Sequence, residues 1–484
     1  MKKRILAFIV VALVLMTSFT ASAETVPYHC YNYDYYGTPI ETPAPYKPIP
    51  ASMDAKTLTG MQFTQPSDIF VAGDGSIYVL ASDRIEVFGS DFMHLRTIVG
   101  VKRGESEDTF NQPEGLFVTD AGDIYVADTQ NKRIVIMDSN GVLKTFIAKV
   151  ESDLLGSDFD FMPSKLAVDS AGRLYVVAKH VFQGIMAFEP NHRFSNFVGT
   201  VNAVVSPVEL FWRRFSTKAQ REKSKLFVPT EFSNLALDSE GFIYASNVDK
   251  DSDKALKRLN PYGQDVLQNF SNHSLKGDLK VEFALDGTSG TQFCDIAVRG
   301  NGMYSALGSV KGRIFTYDSE GNILYIFGGF GTQIGSFKKP VAIDSADGNI
   351  LVVDQEHGKV MAFEPTEYGR LIEDAVANRF TGNNQQSIEC WKQVLHYDSN
   401  FELAYAGIGQ SLLAEYRNKE AMEYLEKGHD TKYYSIAFKR YRLEWIKENV
   451  SVALNGLVAA AALLVVFKIV KKVRRRKKDQ IKST

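Results

Sequence analysis

Between residues 66 and 365, apolar positions recur in short runs of four to six, bounded by Gly, Asp, Asn, Ser or Pro, interrupted at 212–223 by a stretch that reads as an amphipathic helix. The clearest stretch starts at Gln112-Pro113-Glu114-Gly115-Leu116-Phe117-Val118 and passes through Asp120-Ala121-Gly122-Asp123 into Ile124-Tyr125-Val126-Ala127-Asp128. Thr129-Gln130-Asn131-Lys132-Arg133-Ile134 and the strand Val135-Ile136-Met137 follow, and Asn140-Gly141 turns the chain into 142–147. Four strands joined by turn signals predict one propeller blade.

The order repeats. Copies begin at Pro66, with Gly75-Ser76-Ile77-Tyr78-Val79; at Pro163, with Gly172-Arg173-Leu174-Tyr175-Val176; and at Pro229, with Gly241-Phe242-Ile243-Tyr244-Ala245. A fifth contains Gly302-Met303-Tyr304 and Arg313-Ile314-Phe315, and a sixth Gly348-Asn349-Ile350-Leu351-Val352-Val353-Asp354. Six copies predict a mainly β chain organised as a six-bladed propeller. The sixth copy stops at Glu364-Pro365 without an outermost strand, so the segment from Tyr46 to Gly60 is expected to supply it and close the ring. The tyrosine-rich stretch 28–36 reads as a half-buried arm on a sheet edge, in preference to a glycan-stacking patch.

From Leu371 the period becomes helical. Ser387 and Ala421 stand 34 residues apart, and at that offset Leu371 falls on Tyr405, Ala375 on Gly409 and Trp391 on Leu425. The stretch 369–446 resembles two tetratricopeptide (TPR) repeats, which implies either a peptide- or protein-docking groove or a rigid stalk. At the chain ends, Lys2-Lys3-Arg4, an apolar run and Ala21-Ser22-Ala23 predict a signal peptide over residues 1–23. The segment from Val450 to Val470 is long and apolar enough to span a bilayer, and nine Lys/Arg between Lys468 and Thr484 place that end on the cytoplasmic side. The expected organisation is signal peptide 1–23, arm and ring-closing strand 24–60, propeller 61–368, TPR-like region 369–446, membrane helix 447–470 and basic tail 471–484.

The second copy, with Pro-x-Gly-Leu-Phe-Val, Gly-Asp-Ile-Tyr-Val-Ala-Asp and Asp-Thr-x-Asn-x-Arg-Ile, closely resembles the NHL repeat. The whole chain is similar to bacterial cell-surface proteins that combine NHL and TPR repeats, which implies an anchored binding protein, accessory to sugar transport. The net charge is −2 and the basic residues cluster beside the apolar segment, which argues against nucleic acid as a partner. Three cysteines make no disulfide framework.

Candidate chemistry lies on the face carrying the loops that enter each innermost strand. The loop 199–228 contains Trp212, Arg213 and Arg214 and reads as a lid, facing sugar, anion or partner. One position near each innermost-strand start holds Asp68, Gly115, Lys165, Asn234, Asp295 and Pro340. Asp68, Asn234 and Asp295 are oxygen donors of the kind calcium takes, with Lys165 opposing them; no other cofactor is expected. The structural alternative has these residues satisfy strand ends and channel water. Six-bladed lactonases place ligands in the adjacent slot, which here reads Ser67, Glu114, Ser164, Ser233, Cys294 and Lys339, a departure from that pattern. The first functional expectation is a membrane-anchored extracellular binding or scaffold protein for a glycan, peptide or protein. The second is a metal-dependent hydrolase or lyase at the channel mouth.

Overall fold

In the computed structural model the described residues are 26–481, except 105, 151–154, 156–158, 200–230, 248–254, 268–276 and 279–289. They form six antiparallel blades around a ring, followed by five helices, the last of them long and apolar. Each blade begins with its innermost strand: Asp68–Val71, Gly115–Val118, Pro163–Val168, Phe232–Leu237, Phe293–Val298 and Pro340–Ala346 in blades 1 to 6. Each of these strands contacts the innermost strand of the next blade, and the sixth contacts the first, so the ring is closed.

The sequence pattern is explained by what covers each strand. The second strands Ile77–Leu80, Ile124–Asp128 and Leu174–Ala178 are buried at every position, because neighbouring blades cover both faces. They therefore read as unbroken apolar runs. The outer strand of blade 1, His94–Val99, faces water and is largely exposed. Separate apolar clusters fill the gaps between blades, for example Tyr78, Val87, Leu116 and Val135 between blades 1 and 2.

The N-terminal segment is added to two blades. Tyr31–Tyr33 pairs with Pro39–Glu41 and, at Tyr31, with Ile326 on the outer strand of blade 5. Tyr46–Pro48 pairs antiparallel with Lys359–Pro365, in the register Phe363↔Pro48 and Pro365↔Tyr46, as the fourth strand of blade 6. Tyr28 and Tyr31 are buried, and the Tyr28 hydroxyl donates to the Tyr46 carbonyl oxygen at 2.9 Å. Tyr36 stands clear in solvent.

Helices α1 (Glu367–Phe380), α2 (Asn384–Tyr397), α3 (Glu402–Ala414) and α4 (Asn418–Lys427) pack as successive antiparallel neighbours. Helix α1 starts directly from blade 6: Thr366 caps it by accepting from the Gly369 N–H at 3.2 Å and donates its hydroxyl to the Ala44 carbonyl at 2.6 Å. Gly369 is required there, because a Cβ would lie 2.1 Å from the Pro45 carbonyl oxygen. Between α3 and α4 a Cβ on Gly409 would lie 2.5 Å from Leu425, so the missing side chain sets the close helix approach.

The helices share one apolar cluster with blades 5 and 6 and the N-terminal segment, running from Tyr28 and Phe363 to Trp391 and Leu425. Within it lies an ion pair. Arg299 donates to Glu373 of α1 at 2.8 and 3.0 Å, to the Tyr46 hydroxyl at 2.7 Å and to the Tyr325 hydroxyl at 2.8 Å. Tyr46 and Tyr325 also donate to Glu373, at 2.7 and 2.5 Å.

Helix α5 (Thr431–Ile481, 51 residues) docks by its first turns, with Ala437 fully buried and Arg440 donating to the Leu413 carbonyl. From Val450 to Val470 its apolar side chains are exposed, and the helix is long and apolar enough to cross a membrane. The expected signal peptide lies outside the described residues.

Arg299 and Glu373 have side chains only 6% and 14% exposed, so removing one partner strands the other's charge. Glu373→Ala is expected to cost about 3–5 kcal/mol in denaturant unfolding, and Arg299→Met/Glu373→Leu distinctly less. Equal losses in the two variants would show that shape, and not the stranded charge, sets the cost.

Candidate functional site at the propeller mouth

The starts of the innermost strands share one three-residue frame. Strand pairing aligns Pro163-Ser164-Lys165, Phe232-Ser233-Asn234, Phe293-Cys294-Asp295 and Pro340-Val341-Ala342, each with a register shift after its first residue. Blades 1 and 2 place Pro66-Ser67-Asp68 and Pro113-Glu114-Gly115 in the same frame, through Asp68↔Leu80 and Gly115↔Ala127. This corrects the expectation for blade 6 by two residues. Pro340 is the counterpart of Pro163, the third position is Ala342, and the middle slot is Val341, not Lys339.

The middle slot fastens blade to blade. Ser67 donates to the Pro113 carbonyl at 2.6 Å, and Ser233 to the Phe293 carbonyl at 3.0 Å. The Cys294 thiol lies 3.8 Å from the Pro340 carbonyl oxygen. Side chains from the turn after the second strand do the same at two more junctions: Thr129 reaches the Pro163 carbonyl at 2.8 Å, and Gln355 the Pro66 carbonyl at 3.2 Å. Each donor meets the carbonyl of the first residue in the next blade's frame.

The third position continues the fastening. Asp68 accepts the Leu116 N–H at 2.8 Å, joining blade 1 to blade 2. Asp295 accepts the Ile343 N–H at 2.6 Å, joining blade 5 to blade 6, and the Asn234 amide from blade 4. Asp344, two residues beyond the frame, accepts the Val71 N–H at 2.7 Å and joins blade 6 to blade 1. Lys165 of blade 3 reaches past blade 2 to Asp68, with Nζ 2.6 Å from Oδ1. Gly115 lies between them, and a Cβ there would come within 2.5 Å of the Ser164 carbonyl oxygen.

The electrostatics follow from burial. Burial pushes Asp295 up to about 7, and the nearby Asp68 charge adds to the shift while Lys165 opposes it. Burial also pushes Asp344 up to about 7, although two backbone N–H groups favour its charged form. Burial acts against the Lys165 charge, but Asp68 and Asp295 outweigh it and hold its pKa above the ordinary lysine value.

Asp68, Lys165, Asn234 and Asp295 are thus brought together, in an arrangement suited to joining blades. Calcium takes six to eight oxygen ligands. Here one carboxylate holds an ammonium group and a backbone N–H, while the other is closed by the Asn234 amide and the Ile296 and Ile343 N–H groups. The set does not fit that ion. Among the described residues no group of three His, Cys, Asp or Glu is placed to hold a metal. His357 lies 3.0 Å from Asp354, a carboxylate that organises its own turn by accepting from the Lys338 and His357 backbone. Trp212, Arg213 and Arg214 of the expected lid lie outside the described residues.

Sequence reasoning missed Asp344, because the two-residue misplacement of blade 6 hid its relation to the ring; the Pro at the start of four frames was the available signal.

Residues 110–137 match the NHL repeat. The chain is 32% identical over 89 residues to human NHL repeat-containing protein 3, a match covering 17% of this chain and a quarter of that protein's length. Among solved structures, similarity extends to a virginiamycin B lyase from Staphylococcus aureus, at 12% identity and TM-score 0.37, over 71% of this chain and 96% of that one. It extends also to a gluconolactonase from Xanthomonas campestris, at 11% identity and TM-score 0.40, over 67% and 95%. The NHL match falls on blade 2, whose Asp128 binds Asn131 at 2.9 Å, Arg133 at 2.8 Å and the Asn111 N–H at 2.8 Å. That network is the physical content of the Asp-x-x-Asn-x-Arg element.

Two outcomes are expected at this site. Lys165→Met leaves Asp68 and Asp295 buried without their cation and is expected to lower stability by about 3–5 kcal/mol in denaturant titration. Asp344 gives a pH signature. Its pKa of about 7 exceeds the unfolded value of about 4, so its contribution is complete below about pH 4 and is lost as pH rises through 7. Wild type is therefore expected to lose stability relative to Asp344→Asn as pH rises from 4 to 8; a constant difference between the two would refute the assignment.

Proposed function

We propose that this chain is a membrane-anchored binding or scaffold protein, whose NHL-type propeller presents its loop-bearing face to a protein or glycan partner. The observation carrying this reading is the commitment of Asp68, Lys165, Asn234 and Asp295 to one another and to neighbouring backbone, which suits a rigid ring. The Arg299–Glu373 clamp supports the same reading, because it joins the ring to the helices that continue into α5.

In this reading the propeller and α1–α4 lie outside the cell, the basic tail lies in the cytoplasm, and residues 1–23 direct export. The helical pairs, TPR-like in spacing, act as a stalk or as a second docking surface, and sugar transport is the proposed setting. The alternative of a metal-dependent hydrolase or lyase gains no donor set from these residues.

The test of the binding reading is an array of glycans and peptides probed with the full chain in lipid nanodiscs. Saturable binding that weakens when residues 201–225 are deleted supports it; absence of binding to every member would sink it. For the anchor, the full chain is expected to stay with liposomes through alkaline extraction, and a chain ending at residue 449 to be released. Retention of the shortened chain would disprove anchoring by α5.

A further inference from the structure

One continuous helix carries both the docked first turns of α5 and its apolar run, so heights above a bilayer can be counted along it. Val450 to Val470, at 1.5 Å per residue, covers about 31 Å, the thickness of a hydrocarbon core. If α5 spans the membrane, Val450 therefore marks the edge of that core on the propeller side. The headgroup layer adds about 5–8 Å beyond it.

The tie between α5 and the other helices reaches close to that edge. Asn418, at the start of α4 and 2% exposed, donates its side-chain amide to Glu444 at 2.6 Å. One turn further up, Arg440 donates to the Leu413 carbonyl at 3.2 Å, and its guanidinium lies 5.6 Å from the centre of the Tyr416 ring. Among the described residues, α5 makes no hydrogen bond to another element beyond Glu444. Glu444 precedes Val450 by six residues, or about 9 Å of helix. No length remains for a free stalk, and the α3–α4 turn at 415–417 is held within side-chain reach of the headgroups.

The side chains at this level are of the kind a bilayer surface takes. Trp445, five residues before Val450, is 56% exposed, and Leu443 and Ile446 beside it are exposed as well. Tyr416 is 75% exposed at the turn. Its φ of 62° is the left-handed conformation after a helix end that Gly or Asn usually fills, so a large ring is placed in the open at a conformational cost. Tryptophan and tyrosine collect at membrane interfaces because they join an apolar ring to a hydrogen-bonding group. Lys447 on α5 and Lys419 at the start of α4 are exposed, with apolar stems and ammonium heads that suit lipid phosphate.

We propose that the α3–α4 turn and the stretch of α5 from Leu443 to Lys447 rest on the phospholipid headgroup layer, with Trp445 embedded in it and Tyr416 at its surface. This contact exists only if α5 is the membrane anchor proposed above, and it means that ring and helices are held against the bilayer and not raised from it. A second copy of the chain is the rival occupant. Charge speaks against it, because Arg442 and Lys447 flank the Leu443–Ile446 face and would meet like charges across a paired α5.

Tryptophan quenching in the full chain, reconstituted into phosphatidylcholine–phosphatidylglycerol vesicles, reads these depths. Trp212→Phe/Trp445→Phe is the background and leaves the buried Trp391 as a constant signal. The reporters are Trp445 itself, Tyr416→Trp and Ala460→Trp, the last at the middle of the apolar run. The quenchers are a nitroxide on the lipid headgroup, a nitroxide at the acyl-chain end, and iodide in the water. The headgroup nitroxide is expected to remove most of the emission of Trp445 and of the Tyr416→Trp reporter, and the chain-end nitroxide that of the Ala460→Trp reporter alone. A polar, helix-forming insertion of seven residues between Glu444 and Trp445 adds about 10 Å of rise and is expected to abolish headgroup quenching of the Tyr416→Trp reporter. If the Ala460→Trp reporter escapes the chain-end nitroxide, α5 does not span the bilayer and the anchor reading itself fails. With that reporter quenched, a Tyr416→Trp reporter reached by iodide alone stands in open water and overturns the proposal. Shielding from both iodide and the headgroup nitroxide would mean cover by protein, a second copy, and overturn it too. Headgroup quenching that survives the insertion would show that the register of α5 does not set the height, with the same consequence.

Discussion

Tyr46 carries two constraints at one residue. Its backbone belongs to the three-residue strand that completes blade 6, and its hydroxyl lies between Arg299 and Glu373. Closure of the ring and attachment of the helices therefore depend on the same short segment. Its ring stacks on Phe327 at 5.1 Å and an interplanar angle of 9°, so the segment is held by packing as well as by hydrogen bonds. An ion pair this buried gains little net energy over a well-packed apolar alternative. What it supplies is a fixed geometry, since a bidentate arginine and two tyrosine hydroxyls can be satisfied together in few arrangements.

The same logic governs the mouth. In a propeller the sheets pack chiefly against their immediate neighbours, so their inner ends need specific ties if the ring is not to open. Here Ser67, Ser233, Asp68, Asp295 and Asp344 provide them, each bonding to backbone of the next blade. These polar residues at the start of the inner strands therefore act mainly as structural connectors.

The long helix gives the arrangement a direction. Its first turns are fixed to α3 and α4 by Arg440 and by the Asn418–Glu444 hydrogen bond, and Tyr433 ties it to Glu320 of blade 5. At 1.5 Å per residue it extends about 75 Å as one rod.

Much of the architecture is legible in the sequence because it rests on local, repeating signals. Apolar strands joined through a glycine-containing turn recur six times, and an apolar run of bilayer length stands apart from them. Glycines 75, 122, 172, 241, 302 and 348 take positive φ between 75° and 84° in equivalent turns, which is why they recur so clearly. The tertiary structure alone decided what joins these parts. Arg299 and Tyr46 are 253 residues apart and Arg299 and Glu373 are 74 apart, so no local period relates them. The offset of Pro340 depended on strand pairing. Sequence periodicity reports which face of an element is buried, whereas the identity of the partner on that face is set only when the chain closes on itself.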